Sequence, residues 1–266
     1  MKLRKIKFKS HLILKDLEIS FEDESGKILN TVVLIGNNGT GKTSILKGIF
    51  DNFEQGAIDE MDIEDKSIGK IVLMPTEINF DLSKKIDTRK QTPDTLTNII
   101  DQRITSDVSS FIATKIETAV FANEDLQARE SIRKTCDSIN SIFACMDLNV
   151  RIVGLSKDDK KQPVFENKNK DTFPMDSLSS GEKQLFLRVL SLKFLNINDS
   201  IILIDEPGIS LNPEWQRKII SVYESIGTNN QLIVATHSPY IIGDIGKEQI
   251  RVLKHENKEI CMVPME

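Results

Sequence analysis

One segment constrains the fold of this chain more than any other: the glycine-rich sequence GNNGTGKT at positions 36–43. It follows a continuous apolar, β-branched run, TVVLI at 31–35, which is typical of a strand covered on both faces. Helix-compatible residues follow it, up to about Phe53. The segment fits the pattern GxxxxGK[ST] in its required context, between a buried strand and a helix. It therefore predicts an α/β fold with an anion-binding loop.

The chemistry of this loop suits phosphate. Its glycines let successive backbone N–H groups turn inward into a concave nest, and the start of the helix adds the positive end of its dipole. Lys42 would bring a positive charge to the β- and γ-phosphates, and the Thr43 hydroxyl would ligate Mg²⁺. The alternative is a chance glycine-rich turn, against which the flanking strand and helix argue. The predicted phosphate-binding residues are Gly36, Asn37, Asn38, Gly39, Thr40, Gly41, Lys42, Thr43 and Ser44.

A second apolar strand, IILI at 201–204, ends in two carboxylates, Asp205 and Glu206. In open α/β sheets, ligands bind at the carboxyl ends of the strands, so Asp205 would lie beside the phosphate loop and hold Mg²⁺. Glu206 would orient the attacking water as a general base. The alternative is a pair of solvated carboxylates at a strand end. The upstream phosphate loop favours the functional interpretation.

Three further segments narrow the class of nucleotide-binding protein. LSSGEKQ at 178–184 opens a predicted helix, SLNP at 210–213 precedes another, and THSP at 236–239 follows a buried strand. Each has a simpler interpretation on its own. LSSGEKQ could be only a serine N-cap with a downstream Glu, SLNP a proline in the first turn of a helix, and THSP an exposed histidine.

Taken in this order, the segments resemble those of the ATP-binding cassette (ABC) ATPases, from the first strand to His237. Within that family the chain looks most similar to the soluble SMC/RecF/OLD-like branch. The features that carry this resemblance are the paired N-terminal strands, the GEKQ ending of the signature, SLNP and THSP. The resemblance implies ATP and Mg²⁺ as cofactors and ATP hydrolysis as the activity, with Lys42, Glu206 and His237 as catalytic residues.

The resemblance also implies a head-to-tail homodimer. ATP would be clamped between residues 36–43 of one copy and Ser179, Ser180, Gly181 and Glu182 of the other. Such an ATPase would act as a switch for a separate effector protein such as a nuclease, on DNA ends or in an anti-phage system of the Septu or OLD type. The alternative is the ATP-binding subunit of a membrane ABC transporter, which GEKQ and THSP disfavour. From the residues given, we expect neither a long coiled coil nor, after His237, a Toprim nuclease domain.

The sequence departs from the ABC pattern at two points. The Q-loop glutamine is missing after the strand that ends at Met74, where Glu77 or Asn79 would have to replace it. No aromatic residue clearly matches the one that stacks on adenine in transporters. Recognition of ATP over GTP therefore rests on the resemblance.

Composition and charge fit a soluble, cytoplasmic protein. A net charge of −5 argues against a wholly basic nucleic-acid-binding protein. No apolar run approaches the roughly 20 residues of a membrane span, and the three cysteines lack the CxxC spacing of a zinc site. A local basic cluster would allow DNA to bind, although solvated lysines of an edge strand are the simpler explanation. The cluster consists of Lys2, Arg4, Lys5, Lys7, Lys9 and Lys15.

The predicted fold class is α/β: a P-loop NTPase core of the ABC type with a mostly parallel sheet, N-terminal antiparallel strands and an inserted helical lobe. The core would comprise residues 1–82 and 147–266, and the lobe residues 83–146. TPD at 92–94 would start the first helix of the lobe. Apolar residues then recur at helical spacing: Ile99, Ile100, Ile104, Val108, Phe111 and Ile112.

Four local elements complete the prediction. Residues 2–9 alternate between basic and apolar and predict an edge strand. Residues 13–21 predict a second strand, the acidic residues 55–66 a loop, and residues 250–263 a closing pair of strands.

Overall fold

The computed structural model describes residues 1–9, 11, 13–55, 59–64, 69–76, 96–98, 103–122, 128–158, 161–256 and 259–263. These residues form two compact units. The first contains the described residues of 1–76, 96–98 and 195–263, and the second contains those of 103–194.

The elements are numbered along the chain. The first part of unit one contains β1 (Lys2–Lys7), β2 (Glu18–Ser20), β3 (Thr31–Ile35), α1 (Lys42–Gln55), β4 (Glu60–Glu64), β5 (Ile71–Met74) and β6 (Leu96–Asn98). Unit two contains α2 (Arg103–Ala122), α3 (Ala128–Asn140), β7 (Val150–Leu155), β8 (Pro163–Asn167), β9 (Thr172–Pro174) and α4 (Ser180–Phe194). Unit one then continues with β10 (Ile201–Asp205), α5 (Pro213–Glu224), β11 (Gln231–Thr236), α6 (Pro239–Ile242), β12 (Ile250–Glu256) and β13 (Glu259–Val263).

The main sheet of unit one has the strand order β13-β12-β3-β11-β10-β5-β6 among the described strands. Its pairs are parallel except for the closing pair β12–β13, as the sequence predicts. Strands β10 and β11 are buried along their whole length, because a parallel sheet is covered on both faces. Helix α1 packs on one face of the sheet, and the Thr31 hydroxyl donates to Glu224 of α5 on the other (2.5 Å). The predicted fold class is confirmed.

A separate antiparallel sheet of unit one corrects two expectations. Strand β1 is not an edge strand, because β2 and β4 flank it on both sides. The predicted acidic loop at 55–66 contains β4, whose carboxylates face the basic side chains of β1. Arg4 lies 3.7 Å from Asp62 and 3.9 Å from Glu64. Cross-strand charge pairing of this kind stabilises a strand that its own composition does not favour. The second strand is also shorter than the predicted 13–21.

One buried glutamine joins the two sheets of unit one. Gln231 of β11 is fully buried, and its side-chain oxygen accepts from the backbone N–H of Leu3 in β1 (2.7 Å). Its amide nitrogen donates to the carbonyls of Leu3 (2.8 Å) and Leu29 (3.1 Å). A single polar side chain therefore satisfies three backbone groups at the junction of two sheets.

Unit two has its own core. Val108 and Ile112 of α2 are buried, as their helical spacing predicts. The start signal at 92–94, Ile99, Ile100 and the side chain of Ile104 lie outside the described residues. Helix α3 packs against α2 and β7, and β7, β8 and β9 form an antiparallel sheet.

Unit two extends further along the chain than the lobe predicted for 83–146. The ring of Phe186 in α4 lies 4.6 Å from that of Phe143 and 5.0 Å from that of Phe165, centroid to centroid. Together with the packing of α2 against α4 and of α3 against β7, these contacts place β7–β9 and α4 in the same core as α2 and α3. Conversely, β6 lies within the predicted lobe but pairs with β5 in the main sheet.

We expect Gln231→Leu to lower the free energy of unfolding by about 2 to 3 kcal/mol, because the buried backbone groups of Leu3 and the partly buried carbonyl of Leu29 lose their hydrogen bonds to its side chain. Urea denaturation of the purified variant measures this loss. Gln249→Leu is the matched control, since Gln249 is only half buried and its two side-chain hydrogen bonds are longer, one to the carbonyl of Thr31 (3.3 Å) and one from the N–H of Gly246 (3.2 Å). Equal losses in the two variants would contradict the role of Gln231.

Candidate functional site

The glycine-rich loop connects β3 to α1, and its backbone requires glycine at specific positions. Gly39 and Gly41 have φ angles of +85° and +79°, which L side chains rarely adopt. A Cβ atom at Gly36 would lie 2.7 Å from the carbonyl oxygen of Leu253 and 2.5 Å from Oγ1 of Thr40. The glycines thus allow a tight turn that directs the backbone into the first turn of α1.

Lys42 is held within this loop. Its side chain is almost fully buried, and Nζ donates to the carbonyl oxygens of Gly36 (2.8 Å) and Asn37 (3.2 Å). The Thr40 hydroxyl donates to the same Asn37 carbonyl (2.9 Å). These acceptors are neutral, so they orient the ammonium group without cancelling its charge. The arrangement provides a positive charge at the start of a helix, which is a favourable place for a phosphate.

Asp205 lies at the carboxyl end of β10 and is 4% exposed. Its Oδ2 accepts hydrogen bonds from the hydroxyls of Thr43 (2.9 Å) and Thr76 (2.8 Å). Its Oδ1 is buried and has no hydrogen-bond partner among the described residues. A buried carboxylate oxygen without a donor is costly unless it binds a cation. Carboxylate and hydroxyl oxygens are the ligands that Mg²⁺ prefers, so these residues fit that metal.

Thr76 is the residue of this group that sequence reasoning missed. It follows β5, whose Met74 pairs with Ile204 of β10, so the residues after both strands meet at one edge of the sheet. A cavity of about 240 Å³ opens there, lined by Thr43, Leu46, Lys47, Leu73, Pro75, Thr76 and Asp205. The hydroxyl follows a strand end next to the predicted metal ligand, which is the signal that could have identified it. The predicted Q-loop replacements, Glu77 and Asn79, lie outside the described residues.

Glu206 and His237 are in direct contact. Oε1 of Glu206 lies 2.6 Å from Nδ1 of His237, and Oε2 accepts from the Thr236 hydroxyl (3.0 Å) and the His237 backbone N–H (3.4 Å). The carboxylate is 16% exposed and the imidazole 62%. Glu206 also has a φ of +46°, a strained backbone conformation of the type found at functional sites. The sequence predicts both residues near a phosphate but does not predict that they pair.

The segment 210–213 forms a helix cap followed by a proline in the first turn, which is the simpler of the two interpretations of its sequence. Asn212 caps α5 by accepting from the Trp215 N–H (2.9 Å), and Pro213 occupies the first turn. Ser210 has a φ of +63°, and Ser210, Asn212 and Pro213 are exposed around the buried Leu211.

The signature segment likewise forms a complete capping box at the start of α4. The backbone N–H and the hydroxyl of Ser179 both donate to Oε2 of Glu182 (2.9 and 2.7 Å), and the Glu182 N–H donates back to the Ser179 hydroxyl (3.3 Å). Ser179 and Ser180 are exposed and Gly181 is buried. This segment belongs to unit two, whereas residues 36–44, Asp205, Glu206 and His237 belong to unit one. At the start of α4, a carboxylate oxygen of Glu182 thus accepts two hydrogen bonds from Ser179.

The basic cluster of the N-terminal strands is largely matched by acidic neighbours. Lys5 pairs with Glu18, Lys9 with Glu60, and Arg4 with Glu22, Asp62 and Glu64. Lys2 donates to the side-chain oxygen of Asn30 (2.8 Å). These contacts use the positive charges that a phosphate backbone would need, so they do not favour DNA binding at this surface.

None of the helices in the described part of the chain combines the length and the hydrophobicity that a membrane span requires. The same residues contain no group of three or more His, Cys, Asp or Glu side chains placed to hold a metal ion. A metal ion bound to Asp205 would therefore need further ligands that are not His, Cys, Asp or Glu side chains of the described residues. The three cysteines are free thiols, and burial raises the pKa of Cys136 to about 11, so its thiol stays protonated at neutral pH.

The chain is similar to several known proteins. A family model described as "AAA domain, putative AbiEii toxin, Type IV TA system" matches residues 121–243. The "Retron Vc95 probable ATPase" of Vibrio cholerae is 33% identical over 97 residues, which are 32% of this chain and 19% of that protein. This chain thus spans about a fifth of the length of that relative.

Two longer similarities cover most of the chain. The energy-coupling factor transporter ATP-binding protein EcfA1 of Thermotoga maritima is 26% identical over 241 residues, covering 90% of this chain and 72% of that protein. The SMC head domain from Thermotoga maritima superposes with a TM-score of 0.52 at 15% identity, covering 100% of both chains. This last similarity concerns the fold alone.

We expect Thr76→Val to lower the free energy of unfolding by about 1.5 to 3 kcal/mol, because it removes one of the two hydroxyls that stabilise the buried Asp205 carboxylate. Thr76→Ser is the matched control and keeps the hydroxyl. Urea denaturation compares the two variants at neutral pH. Equal losses of unfolding free energy in Thr76→Ser and Thr76→Val would show that the methyl group of Thr76 stabilises the protein and that its hydrogen bond does not.

Proposed function

We propose that the chain is an ABC-type ATPase of the SMC/Rad50-like branch, which binds Mg–ATP at residues 36–43 and hydrolyses it with Glu206 and His237; the family match and the similarity to probable ATPases support this proposal. The observation that carries this proposal is the juxtaposition at one sheet edge of the Lys42 loop, the Thr43 hydroxyl and the unpartnered Oδ1 of Asp205. Together they offer a cation and a metal site to a triphosphate.

Each residue has a definite task in the proposed reaction. The loop N–H groups and Lys42 bind the β- and γ-phosphates, and Thr43 and Asp205 hold the metal. When bound, Mg²⁺ neutralises charge that develops on the phosphate oxygens. Glu206 orients the attacking water and accepts its proton. His237 and Thr236 fix both oxygens of Glu206, and the exposed remainder of the imidazole can face the γ-phosphate.

A second copy of the chain would complete the site in the proposed mechanism. Ser179, Ser180, Gly181 and Glu182 begin a helix of 15 residues, whose start favours an anion. In the structure the carboxylate of Glu182 accepts both hydrogen bonds from Ser179, so a γ-phosphate would have to replace this carboxylate as the acceptor. ATP would then favour a head-to-tail dimer because the γ-phosphate contacts both copies, and hydrolysis would remove that contact.

The proposed biological role is a nucleotide-dependent switch for a separate effector protein in a defence system. The matches to a retron ATPase and to a family of toxin–antitoxin systems support it. A nuclease is one class of effector that such a switch could control. The ion-paired basic strand β1 gives no support to direct DNA binding at that surface.

The second candidate function is the ATP-binding subunit of a membrane transporter. The match to EcfA1 over 90% of the chain favours it. The GEKQ ending of the signature, THSP and the missing Q-loop glutamine favour the switch. A stable complex with a membrane permease encoded by the same host would decide for transport.

We expect Lys42→Ala to reduce ATP affinity at least tenfold, because it removes the charge that contacts the β- and γ-phosphates. Titration with a fluorescent ATP analogue measures this affinity. Lys254→Ala, which replaces an exposed lysine on β12, is the control and should bind like the wild type. Unchanged affinity in Lys42→Ala would refute the assignment of the loop.

We expect Glu206→Gln to retain ATP binding, to lose at least about 100-fold in turnover and to accumulate as a dimer, because the general base is absent while the phosphate contacts remain. Phosphate release and size-exclusion chromatography with saturating Mg–ATP provide the measurements. Glu214→Gln, an exposed change on α5, is the control. A Glu206→Gln variant that stays monomeric argues against the nucleotide-clamped dimer.

A further inference from the structure

A continuous hydrogen-bonded path connects segment 210–213, which is exposed except at Leu211, to the Glu206–His237 pair. It begins at the backbone carbonyl of Leu211, which accepts from the side-chain Nε2 of Gln216 in α5 (2.7 Å). The side-chain oxygen of Gln216 in turn accepts from the hydroxyl of Ser238, the residue after His237 (2.5 Å). Gln216 therefore uses both ends of its amide to join two segments of unit one.

The path continues from Ser238 to the carboxylate of Glu206. The backbone N–H of Ser238 donates to the hydroxyl of Thr236 (3.1 Å), and that hydroxyl donates to Oε2 of Glu206 (3.0 Å). The other carboxylate oxygen of Glu206 contacts Nδ1 of His237 (2.6 Å). Residues 236–238 thus connect Gln216 to both oxygens of the proposed general base.

A glycine makes room for this bridge. A Cβ atom at Gly208 would lie 3.2 Å from Cγ and Cδ of Gln216 and 3.0 Å from the side chain of Ile241. Contacts this short are rare, so a Cβ atom at 208 would require the Gln216 side chain to move by a few tenths of an ångström. The turn that follows Glu206 therefore packs closely against the Gln216 side chain.

A purely local role for Gln216 explains only one of its two side-chain hydrogen bonds. Gln216 lies in the first turns of α5, where a side chain can satisfy a loop carbonyl such as that of Leu211. That role does not require the second hydrogen bond, from Ser238, which is 22 residues away in sequence. Ser238 has its own local task, since its hydroxyl also caps α6 by accepting from the Ile241 N–H (3.4 Å). The Gln216–Ser238 contact serves neither cap.

We propose that Gln216 is a positioning residue for ATP hydrolysis, which fixes Glu206 and His237 in relation to the backbone of segment 210–213. The proposal rests on the function proposed above. Ser210, Asn212 and Pro213 are exposed, so a partner that contacts them can change the position of the Leu211 carbonyl. Gln216 then transmits that change to the base, which links turnover to contact at this segment.

The test is a double-mutant cycle on ATP turnover. Gln216→Leu keeps the size of the side chain and removes both hydrogen bonds, and Ser238→Ala removes the partner hydroxyl. We expect each change to lower kcat about fivefold to tenfold, with KM for ATP within about twofold of the wild type. Because both act through one contact, the double variant should be no slower than the slower single variant. Gln249→Leu is the matched glutamine control and should keep wild-type kcat.

Amide hydrogen exchange provides a readout that does not depend on turnover. Peptides covering residues 236–243 should exchange faster in Gln216→Leu than in Gln249→Leu. Wild-type kcat together with unchanged exchange in Gln216→Leu would overturn the positioning role. Independent effects of the two substitutions, with a product of about 25-fold or more, would show that Gln216 and Ser238 act separately. A wild-type protein that binds no ATP overturns the proposed function itself, a result distinct from either of these.

Discussion

The candidate site depends on one buried carboxylate. Burying an ionised Asp costs several kcal/mol unless hydrogen bonds or a cation compensate it. The hydroxyls of Thr43 and Thr76 stabilise Oδ2 of Asp205, and Oδ1 has no partner among the described residues. This carboxylate is therefore only partly satisfied by the protein. A divalent cation brought by a nucleotide would supply the missing interaction, which couples the stability of this sheet edge to its ligand.

The parallel sheet explains why the other groups are nearby. The carboxyl ends of β3, β5, β10 and β11 lie side by side, and each is followed by a residue of the site. The glycine-rich loop follows β3, Thr76 follows β5, Glu206 follows β10, and His237 follows β11. A fold that buries strands on both faces leaves these ends as the place where polar groups can gather. Glu206 reaches His237 because β10 and β11 are neighbours in register.

The sequence predicted the features that are local. The loop pattern, the apolar strand ending in two carboxylates, and the serine cap at 179 depend on adjacent residues, so their spacing is visible in one dimension. Thr76 was missed because its partner Asp205 is 129 residues away in sequence. Strand β4 was mistaken for a loop because its acidic residues are stabilised only opposite the basic residues of β1. The extent of unit two was underestimated because Phe186 packs with Phe143 and Phe165, a contact that no sequence period reveals.

Isothermal titration of ATP with and without Mg²⁺, for the wild type and Asp205→Asn, tests the metal role of Asp205 most directly. The wild type should bind ATP more tightly with Mg²⁺ than without it. In Asp205→Asn this gain should disappear, while the affinity for metal-free ATP stays close to that of the wild type. An Asp205→Asn variant that keeps the full gain from Mg²⁺ would show that the buried carboxylate does not hold the metal.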